Sequence, residues 1–482
     1  MHKLLNTPLL RKESYIGGEW WRGESTLAVH CPATGETIET VWDFDREAAT
    51  AAVRSAELAL PMWRDKTAKE RAHILRTWHD EIIRHTEELA LILTAEQGKP
   101  LAEARAEILY GASYIEWFAE EAKRIYGDVI APPNNDRRVL VLKQPVGVVA
   151  AITPWNFPSA MLARKLAPAL AAGCTFVCKP AAETPLSALA LAVLAEKAGV
   201  PAGVFNVVVS SRAREVGEVF TGDAAVRKLS FTGSTPVGKL LAAQCAQTVK
   251  KVSLELGGNA PFIVFDDADI DRAVAGAIAS KYRNAGQTCI CTNRILVQDA
   301  VYDKFIEKYC ARVAELKIGS GFEDGVDLGP MITADAVGKV ARLVGEACAA
   351  GGRILIGGKR GNGNGNFYLP TVLEVAAESP ICREEIFGPV SPVIRFVNDQ
   401  EAVSIANDTP YGLAAYMYSR DLGRIWRVAE QLEYGMVGIN ESGISNEMAP
   451  FGGVKESGIG REGSKYGLDD YLETKYLCMG IS

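Results

Sequence analysis

Histidine is scarce in this chain: five occur among 482 residues, and all of them lie within the first 85. A cysteine nucleophile paired with histidine, as in papain-like hydrolases, would need one of these five to be brought to it by the fold. His73, His79 and His85 fall in one predicted helix with charged neighbours, which is typical of a solvated face. We therefore expect that a reactive cysteine in this protein uses a base other than histidine.

Clustered positive charge and long apolar runs are also missing. The net charge is −7, and no basic run or series of interleaved aromatic residues occurs, which argues against nucleic-acid binding. Residues 1–15 lack the apolar core of a signal peptide. The longest apolar runs, such as residues 186–195, are too short to cross a bilayer. We expect a soluble cytoplasmic protein that binds neither nucleic acid nor membrane.

The ten cysteines lack the spacing of a disulfide framework or a zinc finger. Cys289 and Cys291 are separated by a single residue. No histidine lies near them in the sequence, and we predict no metal site. The dinucleotide fingerprint G-x-G-x-x-G after a strand is also absent. What is present is an ordinary globular composition, with 48% apolar residues and enough length for two or three domains.

The first quarter of the chain is predicted to be mostly helical, with helical periodicity over residues 45–60 and 101–124. Between them, one helix is predicted to start at the capping box Thr67-Ala-Lys-Glu70 and to end at Gly98-Lys-Pro100. From residue 148 onward, apolar strands alternate with helices. This alternation predicts an α/β fold with parallel sheets covered on both faces, in which ligands bind beyond the carboxyl ends of the strands.

Two glycine-containing segments resemble phosphate-binding sites. The loop of residues 357–366 is glycine-rich, but no predicted helix follows it, and we interpret it as a hairpin connection. The segment 231–240 opens a helix after a strand and nearly matches a P-loop, but Leu240 supplies no hydroxyl for magnesium, so an ATPase is disfavoured. Gly233 and Ser234 at this helix N-terminus still suit a pyrophosphate, because free N–H groups and the helix dipole point there.

Residues 282–291 (Tyr-Arg-Asn-Ala-Gly-Gln-Thr-Cys-Ile-Cys) follow a predicted helix and turn through Gly286 to Cys289. A cysteine exposed in a polar turn is a candidate nucleophile. Cys291 has two interpretations: a small packing residue, or a resolving thiol that closes on Cys289 under oxidation, at the cost of strain at this spacing.

The chain resembles the aldehyde dehydrogenase superfamily through motifs that occur in the family's order and span nearly its whole length. These motifs are Ile152-Thr-Pro-Trp-Asn-Phe-Pro158, Lys179-Pro180, Phe231-Thr-Gly-Ser234, Leu254-Glu-Leu-Gly-Gly-Asn259, the turn to Cys289, Glu385-Ile-Phe-Gly-Pro389 and Pro450-Phe-Gly-Gly-Val-Lys-Glu-Ser-Gly458. The resemblance implies three units and assembly as a homodimer or homotetramer. The three units of each chain are a Rossmann-like cofactor domain (residues 1–125 and 146–256), an α/β catalytic domain (257–462) and a small β oligomerisation arm (126–145 and 463–482).

The resemblance also implies roles for four catalytic residues. Cys289 would attack an aldehyde carbonyl as a thiolate, and the Asn156 side-chain amide with the Cys289 backbone N–H would hold the oxyanion. After hydride transfer leaves a thioester, Glu255 would activate the water that hydrolyses it. Lys165 would support the hydrogen bonding of the site.

The implied cofactor is NADP, with NAD usable. The residues expected to bind it are Thr153, Trp155, Lys179, Ala182, Gly233, Ser234, Leu256 and Glu385. In NAD-preferring relatives, a glutamate often stands three residues after the lysine that matches Lys179, where it would repel a 2′-phosphate. Here that position is Ala182, and Glu183 comes one residue later, so Lys179 is free to pair with a 2′-phosphate.

The expected substrate is a small carboxylated aldehyde. Arg164, Arg283 and Ser445 match the pattern of succinate semialdehyde dehydrogenases, and an arginine fork binds a carboxylate through two hydrogen bonds. We therefore expect oxidation of succinate semialdehyde to succinate. The alternatives are a glutarate semialdehyde or other ω-carboxy aldehyde dehydrogenase, a CoA-acylating relative, which Glu255 disfavours, and a non-catalytic dinucleotide-binding or redox-sensing protein.

Overall fold

The computed structural model describes residues 7–363 and 365–481. Its strands, in chain order, are β1 (Ser14–Ile16), β2 (Glu19–Trp21), β3 (Ser25–His30), β4 (Thr37–Asp43), β5 (Asp128–Ile130), β6 (Arg137–Pro145), β7 (Val148–Ile152), β8 (Thr175–Lys179), β9 (Phe205–Val207), β10 (Val226–Thr232), β11 (Lys251–Glu255), β12 (Ala260–Val264), β13 (Thr292–Gln298), β14 (Arg353–Ile356), β15 (Thr371–Glu374), β16 (Val390–Phe396), β17 (Ala414–Tyr418), β18 (Met436–Ile439), β19 (Gly458–Ile459) and β20 (Leu472–Gly480).

The α-helices, in chain order, are α1 (Arg46–Arg64), α2 (Ala68–Arg84), α3 (Thr86–Gln97), α4 (Leu101–Glu121), α5 (Pro158–Ala172), α6 (Pro185–Lys197), α7 (Ala213–Gly222), α8 (Thr235–Ala246), α9 (Ile270–Tyr282), α10 (Asp299–Ala314), α11 (Ala334–Ala349), α12 (Asp399–Asn407), α13 (Leu422–Gln431) and α14 (Tyr466–Asp469). The expectations for residues 1–6 and 482 lie outside the described residues.

The first large sheet has the strand order β19-β11-β10-β7-β8-β9-β1-β2. Its strands β11, β10, β7, β8 and β9 are parallel, and antiparallel strands are added at both edges. Two buried apolar clusters cover its faces, one formed largely with α2 to α6 and the other with α1, α7 and α8. The predicted parallel sheet between helices is confirmed.

The second large sheet has the order β14-β15-β16-β13-β12-β17-β18 and is parallel except for β14. Two further apolar clusters cover its faces. Strands β14 and β15 pair antiparallel, so the glycine-rich loop between them connects a hairpin, as predicted. The α/β fold class is therefore confirmed for both sheets.

A three-stranded antiparallel sheet, β20-β6-β5, stands apart from the other two. Strand β6 pairs with β20 along its full length, from Arg137 opposite Gly480 to Pro145 opposite Leu472. Apolar side chains remain exposed on it, with Val129 81% and Tyr476 64% accessible. No α-helix among the described residues has the length and apolarity needed to cross a bilayer.

The predicted helix between Thr67 and Gly98 is two helices in the structure, and this part of the prediction is wrong. The capping box at its start is present: the Thr67 hydroxyl accepts from the Glu70 N–H, and the Glu70 carboxylate accepts from the Thr67 N–H. The backbone leaves the helical region at His85, between α2 and α3. The Thr86 hydroxyl donates to the Ile83 carbonyl at 2.8 Å, a bond of the kind that competes with helix propagation.

Candidate active site

A cavity of about 310 Å³ lies where the carboxyl ends of the first sheet face the loop before β13. Most of the predicted site residues line it: Trp155, Asn156, Arg164, Gly233, Ser234, Leu256, Arg283, Cys289, Glu385 and Ser445. The two sheets thus bring together residues up to 290 positions apart in the sequence. No histidine of the described ranges is among the lining residues. The expectation of a base other than histidine stays a prediction.

Five predicted site residues lie outside this lining. Glu255 and Lys165 are buried behind it. Thr153, Lys179 and Ala182 follow the ends of β7 and β8, where the Thr153 N–H donates to the Lys179 carbonyl at 3.2 Å. The structure therefore joins Thr153 to Lys179, and Ala182 follows three residues later in the chain.

The turn that presents Cys289 is a left-handed one. Asn284, Ala285 and Gly286 have φ values of 52°, 54° and 76° in succession. Asparagine and glycine tolerate this region well, whereas alanine is strained there. At Gly286 a side chain is impossible in any case, since a Cβ would lie 2.2 Å from the Gly388 carbonyl oxygen. The turn therefore depends on glycine for its close approach to the neighbouring loop.

Cys289 is half-buried and faces the cavity, whereas Cys291 is buried. Burial, reinforced by the Glu385 carboxylate, raises the pKa of the Cys289 thiol to about 12, so the free protein holds the thiol proton at neutral pH. The Cys291 thiol donates to the Gly286 carbonyl at 3.3 Å and lies 3.8 Å from the Lys281 ammonium. These contacts account for Cys291 as a packing residue; its function as a resolving thiol stays a prediction.

Asn156 is buried, and its side-chain Nδ2 donates to the Gln287 carbonyl at 3.0 Å, two residues before Cys289. One amide hydrogen is used by this bond, which leaves the other for a ligand in the cavity. The arrangement puts an amide donor beside the thiol and its backbone N–H, the chemistry required to hold an oxyanion.

Glu255 ends β11 in a buried position, and its Oε2 has no hydrogen-bond partner among the described residues. Burial, with the carboxylate of Glu462 acting in the same direction, holds the pKa of Glu255 well above its usual range. A buried carboxyl with a raised pKa and a free oxygen has the properties of a general base. It also influences the cysteine directly, because its charge helps to raise the pKa of Cys289.

Glu462, which the sequence analysis did not identify, pairs with two predicted site residues. Its Oε1 accepts from the Lys165 ammonium at 2.6 Å, and its Oε2 lies 2.7 Å from Nη2 of Arg164. The second contact is an ion pair without the angle of a directed hydrogen bond. Burial would raise the pKa of Glu462, but the two cations outweigh it and lower that pKa. Lys165 therefore neutralises this carboxylate instead of reaching into the cavity.

The two predicted substrate arginines differ in their surroundings. The Arg164 guanidinium is buried, with its Cζ 3.9 Å from the centre of the Phe451 ring, and it forms an ion pair with Glu462. The Arg283 guanidinium lies 4.9 Å from the centre of the Phe157 ring and, within the described ranges, forms no ion pair. Both line the cavity, and so does Ser445, whose hydroxyl hydrogen-bonds that of Tyr110.

A groove leads from the cysteine to the N-terminus of α8. No side-chain cap is present at Ser234, so the N–H groups of the first helical turn, to which Pro236 adds none, are left for a ligand. Glu385 accepts from the Gly258 N–H at 2.9 Å, and burial raises the pKa of Glu385 to about 7. The rings of Trp155 and Phe387 form the opposite wall of the groove. They pack edge to face, and their centroids are 5.5 Å apart. These groups fit a dinucleotide, with helix N–H groups for a pyrophosphate and a carboxyl for a ribose hydroxyl.

Lys179 lies at the end of β8, buried, with its ammonium donating to the Pro180 carbonyl at 3.1 Å. Burial lowers the pKa of Lys179, and the exposed Glu183 carboxylate opposes this effect. Two of the three ammonium protons are left for a ligand. Ala182 adds no charge at this position.

A second buried ion pair, which was not predicted from the sequence, contacts the backbone of Asn156. Lys99 and Glu107 are 2.6 Å apart with both side chains inaccessible, and Lys99 also donates to the Asn156 carbonyl at 2.8 Å. The Glu107 carboxylate accepts from the Ser159 and Ala160 N–H groups and so caps α5. No local pattern pointed to these residues, because the partners that link them to Asn156 and to α5 lie 52 to 57 positions away.

The comparison with known proteins agrees with this geometry. Residues 20–477 match the model of the aldehyde dehydrogenase family. The chain is 57% identical to a 3-sulfolactaldehyde dehydrogenase of Pseudomonas putida, covering 100% of this chain and 99% of the relative. It is also 57% identical to a glutarate-semialdehyde dehydrogenase of Pseudomonas aeruginosa (99% of each) and to the succinate-semialdehyde dehydrogenase NADP(+) GabD of Escherichia coli (99% and 100%).

Among solved structures, a succinate-semialdehyde dehydrogenase from Burkholderia pseudomallei is 58% identical and superimposes with a TM-score of 0.97 over 98% of this chain and 99% of its own. The motif resemblance and the expected fold are thereby confirmed. Since the family match and relatives of more than half identity extend over nearly the whole length, the chain belongs to the aldehyde dehydrogenase family.

Proposed function

We propose that this protein oxidises succinate semialdehyde to succinate with NADP, and uses NAD less well. The observation that carries the proposal is the cavity itself: Arg283, which forms no ion pair within the described ranges, and Cys289 line the same 310 Å³ space. A distal carboxylate on the arginine would leave the aldehyde end directed to the thiol. The relatives that bear the names succinate- and glutarate-semialdehyde dehydrogenase support an acidic aldehyde as the substrate.

In the proposed reaction, the Cys289 thiol passes its proton to solvent water and its sulfur bonds to the carbonyl carbon, which gives a thiohemiacetal. The Asn156 amide and the Cys289 backbone N–H hold the oxyanion. NADP held by Gly233, Ser234 and Glu385 would supply the hydride acceptor, and loss of hydride from this carbon would leave a thioester on Cys289. Glu255 then takes a proton from water, whose oxygen bonds to the thioester carbon as the carbon–sulfur bond breaks. Lys165 holds Glu462 in place and so fixes the charge environment of Glu255.

For the substrate's acid group, we assign Arg283 as the principal cation, with Arg164 and Ser445 as secondary contacts. Arg164 has one carboxylate partner already, and the Ser445 hydroxyl is bonded to Tyr110. Glutarate semialdehyde remains the second candidate, because a pocket discriminates weakly against one methylene. The sulfolactaldehyde dehydrogenase among the relatives makes a sulfonated aldehyde worth including in assays, since a sulfonate presents similar oxygen acceptors.

For the cofactor, we assign the pyrophosphate to the N-terminus of α8 at Gly233 and Ser234, and the nicotinamide side to Trp155, Leu256 and Glu385. The adenosine end would reach Thr153, Lys179 and Ala182. The two free ammonium protons of Lys179 and the small uncharged side chain at position 182 support NADP over NAD. The relative from Escherichia coli carries NADP(+) in its name, which agrees with this preference.

For assembly, we propose a homodimer or homotetramer formed through the arm of residues 126–145 and 463–482. We keep the proposed cofactor domain (1–125 and 146–256) and catalytic domain (257–462), except that β19 pairs with β11 of the first sheet. The exposed apolar side chains of the β20-β6-β5 sheet support this proposal. Light scattering on a sizing column measures the mass directly. The cytoplasmic location and the absence of nucleic-acid or membrane binding stay predictions.

The decisive experiment measures kcat/KM for succinate semialdehyde, glutarate semialdehyde, 3-sulfolactaldehyde and butanal with NADP and with NAD. The proposal predicts the highest value for succinate semialdehyde with NADP and no NADPH formation by the Cys289→Ala variant. Equal values for butanal and the acidic aldehydes contradict the substrate assignment. Activity retained in Cys289→Ala contradicts the mechanism.

A further inference from the structure

Asn284 connects the two parts of the proposed oxyanion site. It is 2% exposed, and its side-chain Nδ2 donates to the Asn156 carbonyl at 3.0 Å and to the Gln287 carbonyl at 3.3 Å. Asn156 follows β7 of the first sheet, whereas Gln287 and Cys289 precede β13 of the second. One amide group therefore bonds to both segments that supply the oxyanion donors.

The other side of Asn284 is fixed to the N-terminal helices. Its Oδ1 accepts from Nε2 of Gln97 at 2.9 Å, at the end of α3. Its backbone N–H donates to the Glu103 carboxylate at 2.9 Å, in α4. Since the side-chain oxygen and both amide hydrogens have partners, the orientation of the amide is fully determined.

The backbone at this residue suits asparagine in particular. With φ 52° and ψ 37°, Asn284 is in the left-handed region, which asparagine occupies more readily than other residues with a side chain, glycine excepted. Glycine would accept the same conformation without the amide. Backbone geometry alone is therefore separable by mutation from the cross-link that the side chain makes.

We infer that Asn284 is a positioning residue for the oxyanion site: its amide sets the distance between the Asn156 side chain and the Cys289 backbone N–H. This inference rests on the proposed function, in which those two donors hold the thiohemiacetal oxyanion. A displacement of about 1 Å in such a site costs on the order of a hundredfold in rate. The step affected is the addition of the thiol to the aldehyde, and the nucleophilicity of the thiol itself is unaffected.

The test uses Asn284→Gly, which keeps the left-handed turn and removes the amide, with Asn284→Asp as a second variant that keeps the shape and loses the two donated bonds. Asn206→Ala is the matched control, because Asn206 is equally buried and donates to two backbone carbonyls, of Phe176 and Gly203, away from the cavity. Two rates are measured: the pre-steady-state burst of NADPH with succinate semialdehyde, and alkylation of Cys289 by iodoacetamide followed by peptide mass spectrometry.

We expect the burst rate of both Asn284 variants to fall about tenfold or more, with alkylation of Cys289 within about twofold of the unmodified protein, because alkylation forms no oxyanion. The Asn206→Ala control should keep both the burst rate and the alkylation rate of the unmodified protein, even if its melting temperature falls. Normal burst rates in both variants overturn the inference, as does an equal fall in burst and alkylation, which indicates a collapsed loop. If the unmodified protein forms no NADPH with any aldehyde while its cysteine alkylates normally, the proposed function fails instead.

Discussion

Oε2 of Glu462 lies 2.7 Å from Nη2 of Arg164, and the same carboxylate holds the Lys165 ammonium at 2.6 Å. One buried carboxylate therefore balances much of the positive charge on one side of the cavity. Arg283, on the other side, has no such partner among the described residues and lies against the Phe157 ring. Of the two predicted substrate arginines, Arg283 therefore keeps more of its charge for an anion, although the Glu103 carboxylate also acts on it.

We predict that Arg283→Met lowers kcat/KM for succinate semialdehyde about ten- to a hundredfold, the cost of a lost charged hydrogen bond. The same variant should oxidise butanal within about twofold of the unmodified rate, because butanal has no acid group to bind. Steady-state kinetics with the two aldehydes measures the difference. An equal loss for both aldehydes would show that Arg283 supports the cysteine turn and not the substrate.

Replacing Glu462 tests the charge balance behind the cavity. Glu255 must be ionised to act as a base, so the rate of thioester hydrolysis should rise with pH through the pKa of Glu255. The Glu462 carboxylate helps to raise that pKa. In Glu462→Gln this negative charge is gone and the two cations are left unbalanced, so we expect the midpoint of the kcat–pH profile to move to lower pH.

The same substitution should destabilise the protein by about 3–5 kcal/mol, because it leaves buried cations without their partner. Urea unfolding at neutral pH measures this loss. Glu462→Asp keeps the negative charge and is the control. Its kcat–pH profile should have a midpoint close to that of the unmodified protein. A Glu462→Gln profile that moves to higher pH would contradict the proposed coupling to Glu255.

The regular elements were predictable wherever the pattern was local. The alternation predicted from residue 148 onward does begin there with β7, because a continuous apolar run marks that strand. The break at His85 was missed, because apolar periodicity continues through it and only the Thr86 hydroxyl competes with the helix. The alternation of strands and helices was enough to predict both parallel sheets.

The site was predictable only as far as motifs reach. Asn156, Cys289 and Glu385 stand in short motifs, and all three line the cavity. Glu462 could not be assigned from local pattern, since its partner Lys165 is 297 residues away. Asn284 was visible as a residue of the cysteine turn, but its bond to Asn156 joins two sheets that only the folded chain brings together.

The raised pKa of Cys289 gives a pH prediction for the protein without cofactor. Because only the thiolate reacts with iodoacetamide, and burial raises the pKa of this thiol to about 12, the alkylation rate should rise about tenfold per pH unit from pH 6 to 9. Peptide mass spectrometry resolves Cys289 from the nine other cysteines, and Cys289→Ala is the control for the assignment. A rate that levels off near pH 7 would mean that a neighbouring group stabilises the thiolate.

Cofactor choice is tested by placing a carboxylate at position 182. Like charges brought together in a binding site cost several kcal/mol, so Ala182→Glu beside Lys179 should raise the Kd for NADPH about tenfold or more. The Kd for NADH should change little, because NADH has no 2′-phosphate. Fluorescence titration of the bound nicotinamide measures both values without any turnover.

Ala182→Gln is the control, because glutamine has nearly the same size as glutamate without the charge. We expect this variant to bind NADPH as the unmodified protein does. If the glutamine variant weakens NADPH binding as much as the glutamate variant, the effect is one of space, and the 2′-phosphate does not lie near Lys179.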